Sequence, residues 1–339
     1  MKNYTTETSV IIPVYNEEKY IFPLLKSLEE QTYPIEKLEI LIIDGNSEDG
    51  TIKEVKKFLK NSALKIKIIS NFQKIIPVSL NLGIKNSVGE FIVRLDAHSI
   101  YNKEYIEKGI YLLKEKHEIV SVGGYLKIYP NGNDFRSYVV SKVFSSPFGT
   151  GPSKLKINRF TKFENCYNDT ALYGMYRKKE LIEVGYFNEK LIATQDIEMY
   201  DRLKKKFDKK IYLSNSMKID YIFKPKTGYD LFKRQFRISS WIAKRNTGIR
   251  VRHIIPPIIG FISILLLLFN IKLLGIMTLI YSLFAMLFYL LEAKELKNKK
   301  YFPYAIYSFV MNHLGYCLGS IYSLYKNKKE TKNEQIISN

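Results

Sequence analysis

The sequence predicts an α/β protein, a Rossmann-like domain with a mostly parallel sheet followed by membrane-associated helices, and three observations predict it. Short β-branched runs at residues 9–14, 39–44, 65–70 and 91–96 alternate with stretches of helical period. Polar and acidic residues follow three of those runs directly. The last quarter of the chain becomes apolar and nearly uncharged.

The first run, Ser9-Val10-Ile11-Ile12-Pro13-Val14, leads into a helix whose Tyr20, Ile21, Leu24, Leu25 and Leu28 share one face. After the second run Ile52, Val55, Phe58 and Leu59 repeat that pattern. Strands separated by helices imply parallel pairing through crossovers. Residues 122–168 lose this periodicity while Gly, Pro, Ser and Asn increase, which predicts a long irregular segment able to line a cleft. The pattern returns at 171–176, 178–184 and 195–206.

Residues 229–245 read as an amphipathic helix, with Leu231, Phe232, Phe236, Trp241 and Ile242 set among basic residues, suited to a membrane surface. Two apolar runs, about 254–270 and 273–291, approach the ~20 residues that span a bilayer. A third, 302–325, contains Asn312, His313, Gly315 and Gly319, which are costly in lipid unless packed against protein. The expected domains are therefore 1–226 catalytic, 227–252 interfacial, 253–326 membrane and 327–339 a polar tail.

The 339 residues carry a net charge of +20. That balance suits nucleic acid, but the lysines are scattered and no nucleic-acid module accompanies them, so membrane lipids are the expected partner and nucleic acid is not. Nine Lys and Arg lie between residues 224 and 252, ahead of the first apolar run, as the positive-inside rule expects of a cytoplasmic flank. Lys294, Lys297, Lys299 and Lys300 suit a return to the same side. A third crossing would then put Lys326, Lys328, Lys329 and Lys332 outside; a re-entrant or surface-lying segment would remove that conflict. Cys166 and Cys317 are the two cysteines, too few and too separated for a disulfide framework or a thiolate metal site. The first thirty residues lack the features of a signal peptide. A multi-pass protein of the cell membrane, its soluble part facing the cytoplasm, is the expectation.

In open α/β sheets ligands bind beyond the carboxyl ends of the strands. Here those ends carry Tyr15-Asn16-Glu17, Asp44-Gly45-Asn46-Ser47-Glu48-Asp49 and Asp96-Ala97-His98, a carboxylate-rich rim suited to a metal and a sugar nucleotide.

Four blocks, residues 9–17, 43–51, 94–98 and 195–198, occur in an order that resembles family-2 glycosyltransferases of the GT-A fold, nearest to the membrane-attached succinoglycan-type transferases of exopolysaccharide assembly. The resemblance covers residues 8–250. It implies a nucleotide-sugar donor held by Pro13, Tyr15, Glu17, Asp44 and Asp96. Asp44 fits the imide N–H of uracil, hence a UDP-sugar; an Asp that merely caps the next helix is the alternative. Asp96-Ala97-His98 stands where the family has its metal-binding Asp-x-Asp motif. This implies a divalent metal, Mn2+ or Mg2+, at Asp96 and His98, with imidazole favouring manganese-like ions. A strand-end histidine bonded to a neighbour is the alternative.

Asp196 matches the second acid of the family's Glu-Asp motif, with Gln195 in place of the first. The resemblance makes it the general base of an inverting displacement. Glu198 competes for that role, and a helix would point the two acids apart. Asp169 falls at an acceptor-side acidic motif. Arg237 and Trp241 partly match a Gln-x-x-Arg-Trp motif, with Trp241 three residues late; they suit diphosphate or acceptor contact, or interfacial anchoring. The implied function is sugar transfer to a lipid-linked or polymeric saccharide. A processive synthase, a polyprenyl-phosphate sugar synthase and a non-catalytic scaffold are the competing readings.

Overall fold

A computed structural model describes residues 6–158, 162–241, 251–293 and 296–337. Strands at the centre of the early sheet are buried on both faces, which is what a sheet covered by helices requires, while the edge strand among them exposes Lys67. The order is β1 (Thr8–Val14), α1 (Glu18–Glu29), β2 (Leu38–Asp44), α2 (Thr51–Leu59), β3 (Ile66–Ser70), α3 (Ile76–Asn86) and β4 (Phe91–Arg94). The chain continues through β5 (Ser99–Tyr101), α4 (Tyr105–Glu115), β6 (Ile119–Pro130), α5 (Phe135–Ser145) and α6 (Pro147–Thr150). Then come β7 (Cys166–Asn168), β8 (Met175–Arg177), α7 (Lys178–Glu183), α8 (Gln195–Phe207) and β9 (Lys210–Phe223).

The sheet runs β3-β2-β1-β4-β8-β6-β9-β5, with β7 also on β9. Strand β1 is parallel to β2 and β4, and β2 to β3. From β8 onward antiparallel pairing takes over: β4 with β8, β6 with β8, β5 with β9, and β7 with β9. The α/β class holds, while the mostly parallel sheet is corrected to a mixed one, parallel across its first four strands. Beyond them the chain returns through strands that need no crossover helix.

The irregular segment expected at 122–168 is also corrected, because β6 and α5 occupy much of it. Its glycines permit close strand approach: a Cβ on Gly124 would lie 2.2 Å from the Met217 carbonyl oxygen. Helix α5 has Val139, Val140, Val143, Ser137 and Ser141 all buried, so it carries no amphipathic period to read. Its start is fixed by the Asp134 carboxylate, which accepts from the backbone N–H groups of Arg136 and Ser137.

Two compact units result. One comprises the chain to Lys127 with Lys154–Ile157 and Lys162–Ile222; the other comprises Ile128–Ser153 and the chain from Phe223 on. The second contains α9 (Gly228–Ser239), α10 (Val251–Phe269), α11 (Ile271–Glu292), α12 (Leu296–Lys299) and α13 (Phe302–Ile337). Helix α9 opens with a capping box between Thr227 and Asp230. Residues 242–250, the rest of the expected interfacial helix, lie outside the described residues. The third apolar run and the polar tail form one helix, α13.

Helix α13 meets α9 at Gly315 and Gly319, where a Cβ would come within 2.4 Å of the Phe232 and Phe236 carbonyl oxygens. Gln235 Nε2 donates to Asn312 Oδ1 at 2.8 Å, and Asn312 Nδ2 donates to the Gly149 carbonyl. The four interruptions in the third apolar run are therefore packed against protein. Among the described residues one helix, Ile271–Glu292, is long and apolar enough to cross a membrane.

Candidate active site

The strand order reverses between β1 and β4, so the crevice beyond their carboxyl ends is the topological switch point of the sheet. The loops after β1 and β2 are locked together there. Asn16 adopts a left-handed conformation, φ 54°, which asparagine tolerates better than most residues. Its backbone N–H donates to Ser47 Oγ at 3.0 Å, and its side-chain oxygen accepts from the Glu48 N–H at 2.9 Å. The Glu17 N–H donates to Thr51 Oγ1 at 2.8 Å. Asp44 is 8% exposed, and its Oδ1 accepts from both the N–H and the hydroxyl of Ser47, so at least one oxygen shapes the turn. Tyr15 is exposed, with the Lys74 ammonium 5.0 Å from its ring centroid. Pro13 lies in β1 opposite Ile43.

Beside this loop pair, β4 ends in Arg94, a buried guanidinium. One of its terminal nitrogens is 3.5 Å from Asp96, and the other pairs directly with Asp196, 102 residues away in sequence. Its Nε has no hydrogen-bond partner. Burial opposes the charge on Arg94, but Asp196 and Asp96 outweigh it and hold the guanidinium protonated even more firmly than usual. The Asp96 N–H donates to the Tyr101 hydroxyl at 3.0 Å. Burial, and then the Asp96 charge, push the phenols of Tyr101 and Tyr173 well up, so both remain protonated.

His98 Nδ1 lies 3.3 Å from Glu17 Oε1, and Nε2 lies 3.4 Å from the Tyr221 hydroxyl. The imidazole thus joins the end of β1 to β9. Helix α8 starts after Thr194, itself left-handed at φ 67°, and brings Asp196 in its first turn to Arg94. Glu198 turns elsewhere, its two oxygens held by Arg202 at 2.7 and 2.8 Å. Arg202 is itself anchored on the Val184 and Tyr186 carbonyls. Gln195 is buried.

The fold therefore gathers Asp96 and Asp196 about Arg94, joins Glu17 to His98, and holds Tyr15 and Asp44 on the adjoining loops. Asp169 is exposed in the turn after β7, where its carbonyl accepts from Lys204. Arg237, which is exposed, and Trp241 belong to the other unit. Arg94, Tyr221 and Arg202 were not expected. The available signal for Arg94 was a lone charge closing the apolar strand Phe91-Ile92-Val93.

Among the described residues no three His, Cys, Asp or Glu side chains gather as cation ligands. The Asp96 side chain is 23% exposed and offers a hard cation one carboxylate ligand. His98 does not fit as a second ligand in this orientation, since both ring nitrogens face protein groups. An open depression lined by Glu7, Lys37, Gly89 and Lys178 lies at the opposite, amino-terminal edge of β1 and β4, away from these acids.

Fold and rim together define an α/β domain of the kind that binds a nucleotide at its switch point. Residues 9–185 match the model of glycosyl transferase family 2, and the chain belongs to that family. A dolichyl N-acetyl-alpha-D-glucosaminyl phosphate 3-beta-D-2,3-diacetamido-2,3-dideoxy-beta-D-glucuronosyltransferase of Methanococcus voltae is 34% identical over 197 residues, 56% of this chain and 59% of that one. The poly(ribitol-phosphate) beta-N-acetylglucosaminyltransferase TarS of Staphylococcus aureus is 33% identical over 112 residues, 33% of this chain and 20% of that one. The chain thus spans less than two thirds of either relative. Among solved structures, the mannosyltransferase PcManGT of Pyrobaculum calidifontis, in complex with GDP-Man and Mn2+, superposes with a TM-score of 0.62 at 13% identity. That match covers 95% of this chain and 88% of the other, and it establishes the shared GT-A fold.

Proposed function

We propose that this chain is an inverting glycosyltransferase that moves a sugar from a nucleotide-sugar, a UDP-sugar, to a lipid-linked or polymeric saccharide at the cytoplasmic face of a membrane, in cell-surface glycan synthesis. The observation that carries this reading is the convergence of Asp96 and Asp196 on buried Arg94 at the switch point of a family-2 domain. A lipid-linked acceptor is supported by the name of the Methanococcus relative, and a polymeric one by that of the Staphylococcus relative.

Pro13, Tyr15, Glu17 and Asp44 hold the nucleoside, and Asp96 faces the diphosphate. Asp196 is the general base: it takes the acceptor hydroxyl proton as that oxygen attacks the anomeric carbon from the face opposite the departing nucleotide. One such displacement inverts the configuration. The pairing of Glu198 with Arg202 favours Asp196 over Glu198 for this role. Gln195 and Asp169 belong to the acceptor side, and Arg237 and Trp241 to acceptor or diphosphate contact. A divalent cation, Mn2+ or Mg2+, would be held through Asp96 and would supply positive charge against the departing diphosphate. His98, whose ring nitrogens face Glu17 and Tyr221, would not ligate that cation in this orientation.

The test is nucleoside diphosphate release by membranes carrying the full chain, across a panel of nucleotide sugars with a lipid extract as acceptor source. Turnover of one donor should fall by about 10²- to 10⁴-fold in Asp196→Asn while nucleotide binding persists. Normal turnover in that variant would overturn the base assignment. Absence of binding to any donor would overturn the transferase reading.

A further inference from the structure

We infer that α10, α11 and α13 lie within a membrane surface, embedded along one side, and that none of them crosses it. This rests on the membrane reading above and replaces the expected crossings with a seat in one leaflet.

The inference starts from a lateral chain of hydrogen bonds. Gln235 of α9 bonds to Asn312 of α13 at 2.8 Å. The next residue, His313, donates from Nε2 to the Phe148 carbonyl at 2.8 Å, so its Nδ1 accepts from the Tyr281 hydroxyl, also at 2.8 Å. Tyr281 is the midpoint of α11, which runs Ile271–Glu292. Residue 235 of α9 and residues 148–149 therefore stand level with the middle of α11.

Helix α9 carries Asp230, Lys233, Arg234 and Arg237 within five residues of Gln235, about 8 Å along its axis. If α11 stood across a bilayer, these charges would sit near the hydrocarbon centre, where each Asp, Lys or Arg costs about 2.5 to 3.5 kcal/mol. Lys233 pairs with Asp230 at 3.0 Å, which offsets part of that cost, but their side chains remain 57% and 33% exposed, so the pair would still face acyl chains. Laid in the surface plane, the same helices keep α9 in water and their apolar sides in lipid.

Exposure is distributed accordingly. On α13 Val310, Leu314, Leu318 and Ile321 are exposed at three- and four-residue spacing, while Ser308, Asn312, Ser320 and Ser323 are buried. A helix with polar residues inside and apolar residues outside is matched to acyl chains, not water. On α11 Ile276, Ile280, Leu283 and Leu287 form a similar exposed stripe. The apolar part of α10, Pro257–Phe269, covers about 20 Å, short of a hydrocarbon core of about 30 Å. The arrangement also removes the charge conflict of a basic tail on the far side.

The test compares cysteine variants of the full chain with the unsubstituted chain in sealed vesicles of each orientation, using a membrane-impermeant maleimide. Lys67→Cys, exposed on β3, marks the side of the first unit. Lys272→Cys lies at the junction of α10 and α11, and a third cysteine is appended after Asn339. Neither of the last two should react from the side opposite Lys67→Cys. Labelling of Lys272→Cys from that side would mean that the helical pair spans the bilayer, and labelling of the appended cysteine that α13 crosses; either overturns the inference. Recovery of the chain away from membranes would instead sink the membrane reading beneath it, a result that labelling does not mimic.

Discussion

Arg94 is the residue on which most of the site depends. Its backbone N–H is fixed to the Gly174 carbonyl at 3.1 Å, and its guanidinium is buried between two carboxylates. Removing one member of a buried ionic group costs more than the group contributes when complete, because charge is left behind without compensation. Arg94→Met should therefore destabilise the protein by about 3 to 5 kcal/mol in denaturant unfolding. Arg94→Lys should recover part of that stability but not the fork that reaches both acids. Wild-type unfolding of Arg94→Met would mean that the acids do not need this cation. The acids themselves were legible as Asp96 and Asp196 from their motifs. The arginine joining them was not, since a strand-end charge does not announce a partner a hundred residues away.

Helix α5 illustrates how a cap can specify an element that periodicity hides. Hydrogen bonds from the Ser137 hydroxyl and backbone hold the Asp134 carboxylate below its usual range, against a smaller opposing effect of burial. A carboxylate whose pKa is lowered by folding contributes stability above its unfolded pKa and loses it as pH falls through the folded value. Asp134→Ala should cost about 1 kcal/mol at neutral pH. In thermal melts the gap between variant and wild type should narrow in acid below about pH 4, where the native carboxylate also protonates. A gap that is constant with pH would assign the loss to something other than the charged cap. Helix α9 also opens on a cap, between Thr227 and Asp230, but its amphipathic pattern was readable, whereas the buried α5 body, rich in Ser and Val, resembled a loop.

Taken whole, the molecule combines a net charge of +20 with exposed apolar stripes on its terminal helices. Both favour an anionic bilayer, but they respond differently to salt. Raising ionic strength from 0.1 to 1 M shortens the Debye length from about 10 to about 3 Å and screens the lysines, leaving apolar insertion largely intact. Co-sedimentation should therefore be stronger with anionic than with neutral vesicles at low salt, and that preference should fall at high salt while residual binding remains. Complete release at high salt would mean that charge alone holds the chain to the surface.

Sequence by itself determined the four parallel strands, the helices between them and the acids at their carboxyl ends, because alternation, period and strand-end chemistry are local. It also marked Asn312, His313, Gly315 and Gly319 as residues needing protein neighbours. Only the tertiary structure decided that β8, β6, β9 and β5 extend the sheet beyond its parallel part. It alone joined Asp196 to Asp96 through Arg94, turned Glu198 to Arg202, and brought α9 level with the middle of α11. Those facts depend on contacts between residues far apart in the chain, and no local pattern encodes which distant partner a side chain will meet.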